Sequence, residues 1–242
     1  MSLYVVSGRS TRRAREQKRS LDAQREQWER ALSERADRFG AQASDPACAA
    51  ADRLRRGGLM KLLELGAGQG RDTLYFAEQG FEVHALDYAA SSVEAIEQKA
   101  REAAVSYRVA ISQHDVRNPL PYPDGSFDAC YSHMLFCMAL TQAELHALSQ
   151  EILRVLRPGG LCVYTARTTD DPDFGRGIHH GEGLYQSGGF IVHFFSAETV
   201  ERLAGGYEIV EVERFKEGSL PRDLFRVTQR KRADAAMSES FT

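Results

Sequence analysis

The sequence has few cysteines and no long apolar run. Its four cysteines lack the C-x-x-C spacing of metal and redox pairs; they are Cys48, Cys130, Cys137 and Cys162. No segment approaches the roughly 18 consecutive apolar residues of a membrane-spanning helix, and the N-terminal segment lacks an apolar stretch of signal-peptide length. We therefore expect a reduced, cytoplasmic protein with no membrane partner, in which Cys130 and Cys162 fill strands as small apolar residues.

Positive charge is scarce outside the start of the chain. The formal net charge is -3, yet the first twenty residues carry six basic side chains against Glu16, a net charge of +5. The remaining residues are therefore acidic, at -8, which argues against a nucleic-acid substrate. We interpret the basic start as a solvated extension rather than a transit peptide, and it leaves a nucleic-acid partner open as an alternative.

The first 57 residues predict a helical extension. Residues 10–37 are polar apart from a thin apolar stripe at helical spacing, formed by Leu21, Trp28, Leu32 and Phe39. We expect this helix to dock on the main domain, either as a core anchor or as a lid over a ligand. A second, short helix is predicted to begin with Asp45 as its cap and Pro46 in its first turn, and to end near Gly57.

Strand and helix patterns alternate through residues 58–242, the predicted main domain. The strand segments are too apolar to show a period of two, which is typical of a parallel sheet covered by helices on both faces. The last two strands, "YEIVEVERF" and "DLFRVTQR", are separated by a connection too short for a parallel crossover. The sequence therefore predicts an α/β, Rossmann-like, doubly wound sheet of seven mostly parallel strands with a C-terminal antiparallel hairpin.

The segment "LLELGAGQGRDTLYFA" predicts a strand, a glycine turn and a helix. A dinucleotide fingerprint requires G-x-G-x-x-G, but after Gly66 and Gly68 the position of the third glycine is taken by Arg71, and the next glycine is Gly70. A nicotinamide cofactor is therefore disfavoured. The turn still brings backbone N–H groups and a helix N-terminus towards a ligand.

Two acidic residues near this turn refine the prediction. Asp87 ends the next predicted strand, where its carboxylate can accept hydrogen bonds from the hydroxyls of a ribose. Glu64, at the end of the first strand, would disfavour a pyrophosphate and suit a cation. Asp128, in "SFDACY", is interpreted as structural. The pattern thus favours a nucleoside ligand without a pyrophosphate.

The glycine-turn segment resembles the first motif of class I S-adenosylmethionine-dependent methyltransferases. The longer segment "GQGRDTLYFAEQGFEVHALDYAASSVEAI" is similar to their small-molecule branch, which includes the tellurite-resistance and thiopurine-type methyltransferases. The resemblance covers roughly residues 59–230. It implies S-adenosylmethionine as the cofactor, S-adenosylhomocysteine as its product and a small molecule as the methyl acceptor.

The same resemblance implies roles for individual residues. The loop against the amino-acid part of the cofactor would consist of Gly66, Ala67, Gly68 and Gly70, with Glu64 orienting it. Asp87 would bind the ribose hydroxyls and Tyr88 would lie beside the adenine. Asp115 would accept a hydrogen bond from the adenine amino group, and Val116 would donate its backbone N–H to the adenine. Ser132 and His133 would face the sulfonium and the methyl group.

The acceptor is left open by the sequence. A soft sulfur, selenium or tellurium nucleophile needs no base, whereas a hydroxyl needs one, and His133 is either that base or a packing residue. The glycine-rich segment 166–196 is interpreted as an irregular loop over the site. Its spacing of histidines does not support a metal. The candidate substrate residues are Trp28, Arg167, His179, His180, Tyr185, His193 and Phe194.

Two further functions remain as alternatives at this point. The first is a methyltransferase that acts on nucleic acid or protein. The second is a non-catalytic regulator that binds S-adenosylmethionine but methylates nothing. The oligomeric state cannot be inferred from the sequence.

Overall fold

The computed structural model describes residues 6–35, 38–217 and 222–233. Its helices are α1 Val6–Ser33, α2 Asp45–Arg56, α3 Arg71–Glu78, α4 Ala90–Glu102, α5 Gln142–Val155 and α6 Ala197–Leu203. Its strands are β1 Lys61–Leu65, β2 Glu82–Asp87, β3 Val109–Gln113, β4 Phe127–Ser132, β5 Leu156–Arg167, β6 Ile178–Gly181, β7 Leu184–Ser187, β8 Phe190–His193, β9 Tyr207–Glu217 and β10 Arg222–Lys231. The basic side chains before residue 20 lie outside this description.

Seven strands form one mostly parallel sheet, as the alternation predicted. Their order is β3-β2-β1-β4-β5-β10-β9. The first five strands run parallel, whereas β10 pairs antiparallel with both β5 and β9. The predicted Rossmann-like sheet with a C-terminal antiparallel hairpin is therefore confirmed. The carboxyl ends of the parallel strands meet at one edge, where ligands bind in open α/β sheets.

Both faces of the sheet are covered by apolar side chains. One face carries a cluster that includes Leu65 and Phe136, and Phe136 stacks on Tyr164 with ring centroids 4.2 Å apart. The other face carries a second cluster around Phe76. The neighbouring Cys130 and Cys162 are fully buried free thiols in adjacent strands, as predicted. The sheet is thus a rigid base for the loops at its edge.

Capping bonds fix where the helices begin. Thr141 and Glu144 form a capping box at the start of α5. The cap predicted for α2 was wrong by one residue, because the Ser44 hydroxyl, rather than Asp45, accepts the N–H of Ala47 at 3.2 Å. Helix α1 ends at Ser33, so Phe39 lies beyond it instead of in its last turn.

The glycine-rich segment was predicted as an irregular loop, and this was wrong. It forms a three-stranded antiparallel sheet in the order β6-β7-β8, called here the small sheet. Gly183 and Gly189, at the hairpin turns, have φ of +82° and +87°, values that residues with a Cβ rarely adopt. The glycines that suggested an irregular loop in the sequence thus form the turns of the small sheet.

Candidate functional site

A cavity of about 540 Å³ lies at the carboxyl ends of the parallel strands. It is bounded by the glycine loop, helix α1, the small sheet and the beginning of β10. Among the predicted site residues it is lined by Trp28, Glu64, Gly66, Ala67, Gly68, Asp87, Tyr88, His133, Arg167, Tyr185 and Phe194. One cavity therefore brings together most of the residues implied for the cofactor and several of those implied for the acceptor.

The N–H groups of the glycine loop are used within the protein. Those of Gly66 and Ala67 both donate to the Leu86 carbonyl, at 2.8 and 3.3 Å. The N–H of Gly68 donates to a carboxylate oxygen of Asp87 at 2.8 Å. These donors are consequently not directed at a phosphate, which agrees with the absence of the dinucleotide fingerprint.

Glu64 lies fully inside the protein at the end of β1. Burial, reinforced by the charge of Asp72, raises the pKa of Glu64 to about 8, although the Thr73 hydroxyl donates to its carboxylate at 2.6 Å. In neutral solution Glu64 therefore keeps its proton. A cation beside this carboxyl group would favour the release of that proton.

Asp87 also has a raised pKa. Burial raises it to about 6, while hydrogen bonds from the N–H groups of Ala89 and Gly68 act in the opposite direction. The carboxylate thus lies at the end of β2, where one oxygen accepts the N–H of Gly68 and the other accepts the N–H of Ala89. Its location on the cavity wall suits the ribose role implied by the resemblance.

Asp72 is a third carboxylate on the same wall, and the sequence interpretation missed it. It accepts the N–H of Ser44 at 2.7 Å, the Ser44 hydroxyl at 2.8 Å and the hydroxyl of Tyr131 at 3.2 Å. In the sequence it is an ordinary acidic residue in the first turn of a helix. Only the fold brings it beside Glu64 and Asp87.

His133 forms hydrogen bonds through both ring nitrogens. Nδ1 lies 2.9 Å from the hydroxyl of Thr165, which also accepts the N–H of Met134. Nε2 lies 3.2 Å from a carboxylate oxygen of Glu217. Because a carboxylate only accepts hydrogen bonds, the network assigns the hydrogen to Nε2. Nε2 therefore already carries a hydrogen, and the neutral imidazole can accept a proton only through Nδ1, which lies at the Thr165 hydroxyl.

Glu217 was not identified from the sequence either. Burial opposes its ionisation, but the hydrogen bond from His133 and the positive charges of Arg71 and Arg222 outweigh burial and lower the pKa of Glu217. The residue ends β9, more than eighty positions after His133. No local sequence signal connects them, because their proximity depends on the C-terminal hairpin.

Several predicted site residues do not line the cavity. Gly70 begins α3, Val116 lies in the apolar core and Ser132 is fully buried. The Ser132 hydroxyl has no hydrogen-bond partner among the described residues. Asp115 forms an ion pair at 2.7 Å with Arg117, and the Arg117 guanidinium lowers the pKa of Asp115 against the effect of burial.

The three predicted histidines of the small sheet also lie off the cavity wall. His193 is buried, its Nδ1 lies 2.7 Å from the Leu140 carbonyl, and burial lowers its pKa. His179 stacks on Tyr185, and His180 contacts Gln186. Among the described residues, no group of three His, Cys, Asp or Glu side chains is arranged to hold a metal ion.

Helix α1 lies across the cavity and is held on several sides. Gln24 exchanges hydrogen bonds with the backbone of Gly189 and Ile191 on the small sheet, at 3.1 and 2.9 Å. Glu29 accepts the first N–H groups of α4, at 3.0 and 3.1 Å, where the helix dipole favours a carboxylate. Trp28 packs on Phe190 with centroids 4.5 Å apart. No described helix is both long and apolar enough to cross a bilayer.

Comparison with known proteins shows what the central part of the chain is similar to. Residues 62–160 match the family model described as "Methyltransferase domain". The malonyl-[acyl-carrier protein] O-methyltransferase of Enterobacter lignolyticus (strain SCF1) is 30% identical over 112 residues, 46% of this chain. The match spans only 40% of the length of that relative.

Solved structures with this fold include several kinds of protein. The [4+2]-cyclase SpnF matches with a TM-score of 0.63 at 22% identity, over 77% of this chain and 80% of its own. The 1,6-didemethyltoxoflavin-N1-methyltransferase of Burkholderia thailandensis, bound to S-adenosylhomocysteine, gives 0.62 at 22%, over 78% and 79%. TehB of Haemophilus influenzae gives 0.60 at 15%, over 76% and 62%. These identities show a shared fold.

The family match and the shared fold agree with the motif in the sequence. The matched residues 62–160 contain β1, the glycine loop, Asp87 and His133. The structural matches extend the likeness through most of the sheet. Residues 62–160 are therefore similar to a methyltransferase domain, and the main sheet shares its fold with methyltransferases of known structure, in agreement with the resemblance in the sequence.

Proposed function

We propose that this protein transfers a methyl group from S-adenosylmethionine to a small-molecule acceptor. The observation that carries the proposal is the group of three buried carboxyl side chains, Glu64, Asp72 and Asp87, around a glycine loop whose N–H groups are already used. Such a wall suits a ligand that is cationic and has no phosphate. S-adenosylmethionine meets both conditions, since it carries a sulfonium and an ammonium group. The bound S-adenosylhomocysteine of the Burkholderia thailandensis enzyme supports the same cofactor here.

The cofactor supplies a methyl group activated by the positive sulfur. A lone pair of the acceptor forms the new bond to the methyl carbon, and the electrons of the carbon–sulfur bond return to sulfur. The protein then contributes mainly alignment, exclusion of water and suitable charge. Asp87 would hold the ribose and Tyr88 the adenine, while Glu64 keeps the loop in place through Thr73.

A small acceptor fits the closed shape of the site. Helix α1 and the small sheet cover the cavity, and its volume of about 540 Å³ is within the range of ligand pockets. The acidic main body also disfavours nucleic acid. An acceptor that loses a proton would use Nδ1 of His133 after this nitrogen parts from the Thr165 hydroxyl, whereas a soft sulfur, selenium or tellurium nucleophile would need no base. The unpaired thiols support a reducing, cytoplasmic location.

Replacement of Asp87 tests the cofactor site. We expect Asp87→Asn to weaken S-adenosylmethionine binding about tenfold or more in calorimetry, because an amide replaces a charged hydrogen-bond acceptor. The matched control is Glu82→Gln on the same strand, where the carboxylate is exposed and pairs with Lys61 at 3.4 Å. The control variant is expected to bind like the unaltered protein. Equal affinity of the Asp87 variant would contradict the assignment.

Turnover must be measured separately from binding. The likeness to SpnF, a cyclase, shows that this fold does not by itself decide the reaction. Formation of S-adenosylhomocysteine in the presence of small thiols, oxyanions of tellurium and selenium, and phenols distinguishes the proposed enzyme from a non-catalytic regulator. Methylation of RNA or protein alone would instead support the macromolecular alternative.

A further inference from the structure

The two ends of the cavity differ in charge. Glu64, Asp72 and Asp87 lie at one end, near β1 and β2. The opposite end, called here the acceptor end, contains three arginines against the carboxylates of Asp173 and Glu217; its lining includes Arg167, Arg176, Tyr185, Phe194 and Arg222. Strands β2 and β10 stand four positions apart in the sheet, which separates Asp87 from Arg222 by roughly 19 Å. Arg222 is therefore well removed from the carboxylate of Asp87.

One arginine of the acceptor end is already neutralised. Arg167 is buried, and its guanidinium forms hydrogen bonds with Asp171 and with Asp173, the latter at 2.6 Å. Its guanidinium also lies 5.1 Å from the ring centre of Phe194. Arg167 thus acts as a fixed part of the wall, and a ligand would not easily detach it from two carboxylates.

The other two arginines are free to bind a ligand. In the described parts of the chain, neither the Arg176 nor the Arg222 side chain forms an ion pair or a hydrogen bond. The carboxylate of Glu217 lies near Arg222 but is hydrogen-bonded to His133 and 3.6 Å from Arg71. Two guanidinium groups therefore face the cavity without an anion bound to either.

Aromatic rings line the same cavity as these arginines. Tyr185 and Phe194 line the cavity with centroids 6.1 Å apart, and Phe190 lies on the same wall of the small sheet. Arg38 lies over the Phe190 ring at 5.6 Å. A flat or apolar body fits against these rings, while the two free guanidinium groups attract an anion.

We propose that the methyl acceptor is a small carboxylic acid with an aromatic or apolar body, whose carboxylate is bound by Arg176 and Arg222. This inference rests on the proposed function and adds the substrate class. A carboxylate between two guanidinium groups is a weak nucleophile, because its lone pairs are engaged in hydrogen bonds. The methyl group therefore goes to another atom of the acceptor, near His133. A lone pair of that atom forms the bond to carbon, and its proton, where present, leaves to His133 or to solvent.

Matched acids and amides test this site in the protein saturated with S-adenosylhomocysteine. The probes are benzoate, 3-phenylpropionate, trans-cinnamate and octanoate, each compared with its neutral amide by calorimetry or ligand-observed NMR. At least one acid is expected to bind about tenfold to a hundredfold more tightly than its amide. Arg176→Gln and Arg222→Gln should each remove most of this preference, with no change in S-adenosylhomocysteine affinity.

Arg101→Gln, on the outer surface of α4, is the matched control for a lost positive charge. It is expected to leave the preference for acids unchanged. The inference is overturned if no acid binds more tightly than its amide, or if both cavity variants keep the preference. Absence of S-adenosylhomocysteine binding to the unaltered protein would instead refute the proposed function, so the two failures are distinguishable.

Discussion

At the scale of single residues, the buried carboxyl groups matter most. Glu64 is fully enclosed beside Asp72, so its ionisation requires either a high pH or a nearby cation. A sulfonium or ammonium group placed against it supplies that cation. If S-adenosylmethionine binds here as proposed, its binding would be coupled to the loss of a proton from Glu64.

This coupling makes the stability of the ligand-free protein depend on pH. The pKa of Glu64 is about 8 in the folded chain and 4.5 when unperturbed, so the folded state holds a proton that the unfolded state has lost. The stability from this group is complete below pH 4.5 and decreases as the pH rises towards 8. Between about pH 6 and pH 8, we expect the free energy of unfolding to fall by about 2 kcal/mol through Glu64.

Urea unfolding of the ligand-free protein at several pH values measures this contribution. Glu64→Gln keeps an acceptor for the Thr73 hydroxyl but does not titrate, so its stability should change less with pH than that of the unaltered chain. Glu78→Gln, at an exposed position of α3, is the control and should keep the full dependence. Identical pH dependence in the Glu64 variant would show that this carboxyl group does not titrate in the range.

At the scale of elements, the start of α3 depends on Gly70. This residue has φ of +84°, and a Cβ added there would lie 2.6 Å from Cγ1 of Ile96 on α4. The glycine thus allows α3 and α4 to approach closely below the loop. Its contribution to the site is the support of the loop, since it does not line the cavity.

Replacement of two glycines separates these effects. Gly70→Ala should lower the free energy of unfolding by about 2–4 kcal/mol, because it combines an unfavourable φ with a steric clash. Gly58→Ala has a similar φ of +65° but no atom within 4 Å of the added Cβ, so only the cost of about 1 kcal/mol for φ is expected. Thermal or urea unfolding compares the two. Equal losses would show that the contact with Ile96 is readily relieved.

Helix α1 and the small sheet act together as the cover of the site. Gln24 binds the sheet, Glu29 caps α4 and Trp28 lines the cavity between them. These contacts support the lid role that the sequence left open beside a core-anchor role.

At the scale of the whole molecule, the sequence predicts the sheet and the meeting of the glycine turn with Asp87 at one cavity. The apolar strands, the glycine turn and the acidic strand ends are local patterns, and Gly66, Gly68 and Asp87 lie together as expected. The short connection between the last two strands also determined their antiparallel pairing. These features depend on a few neighbouring residues, which a sequence displays directly.

The acceptor end could not be predicted in the same way. Glu217 and Arg222 reach the cavity only because the C-terminal hairpin inserts β10 beside β5. The predicted His179, His180 and His193 do not line the cavity, because His179 stacks on the Tyr185 ring, His180 contacts Gln186 and His193 is buried beside the Leu140 carbonyl. The acceptor end is formed by contacts between residues that are distant in the chain. Such contacts leave no local pattern in the sequence.

The most direct test of the account is calorimetry of the purified protein with S-adenosylmethionine, S-adenosylhomocysteine and NADH under the same conditions. The carboxyl groups at the loop favour a ligand without phosphates, and the loop N–H groups are not directed at one. We therefore expect micromolar binding of the first two compounds and no measurable binding of NADH. Binding of NADH alone would contradict the account, because the glycine loop would then hold a pyrophosphate.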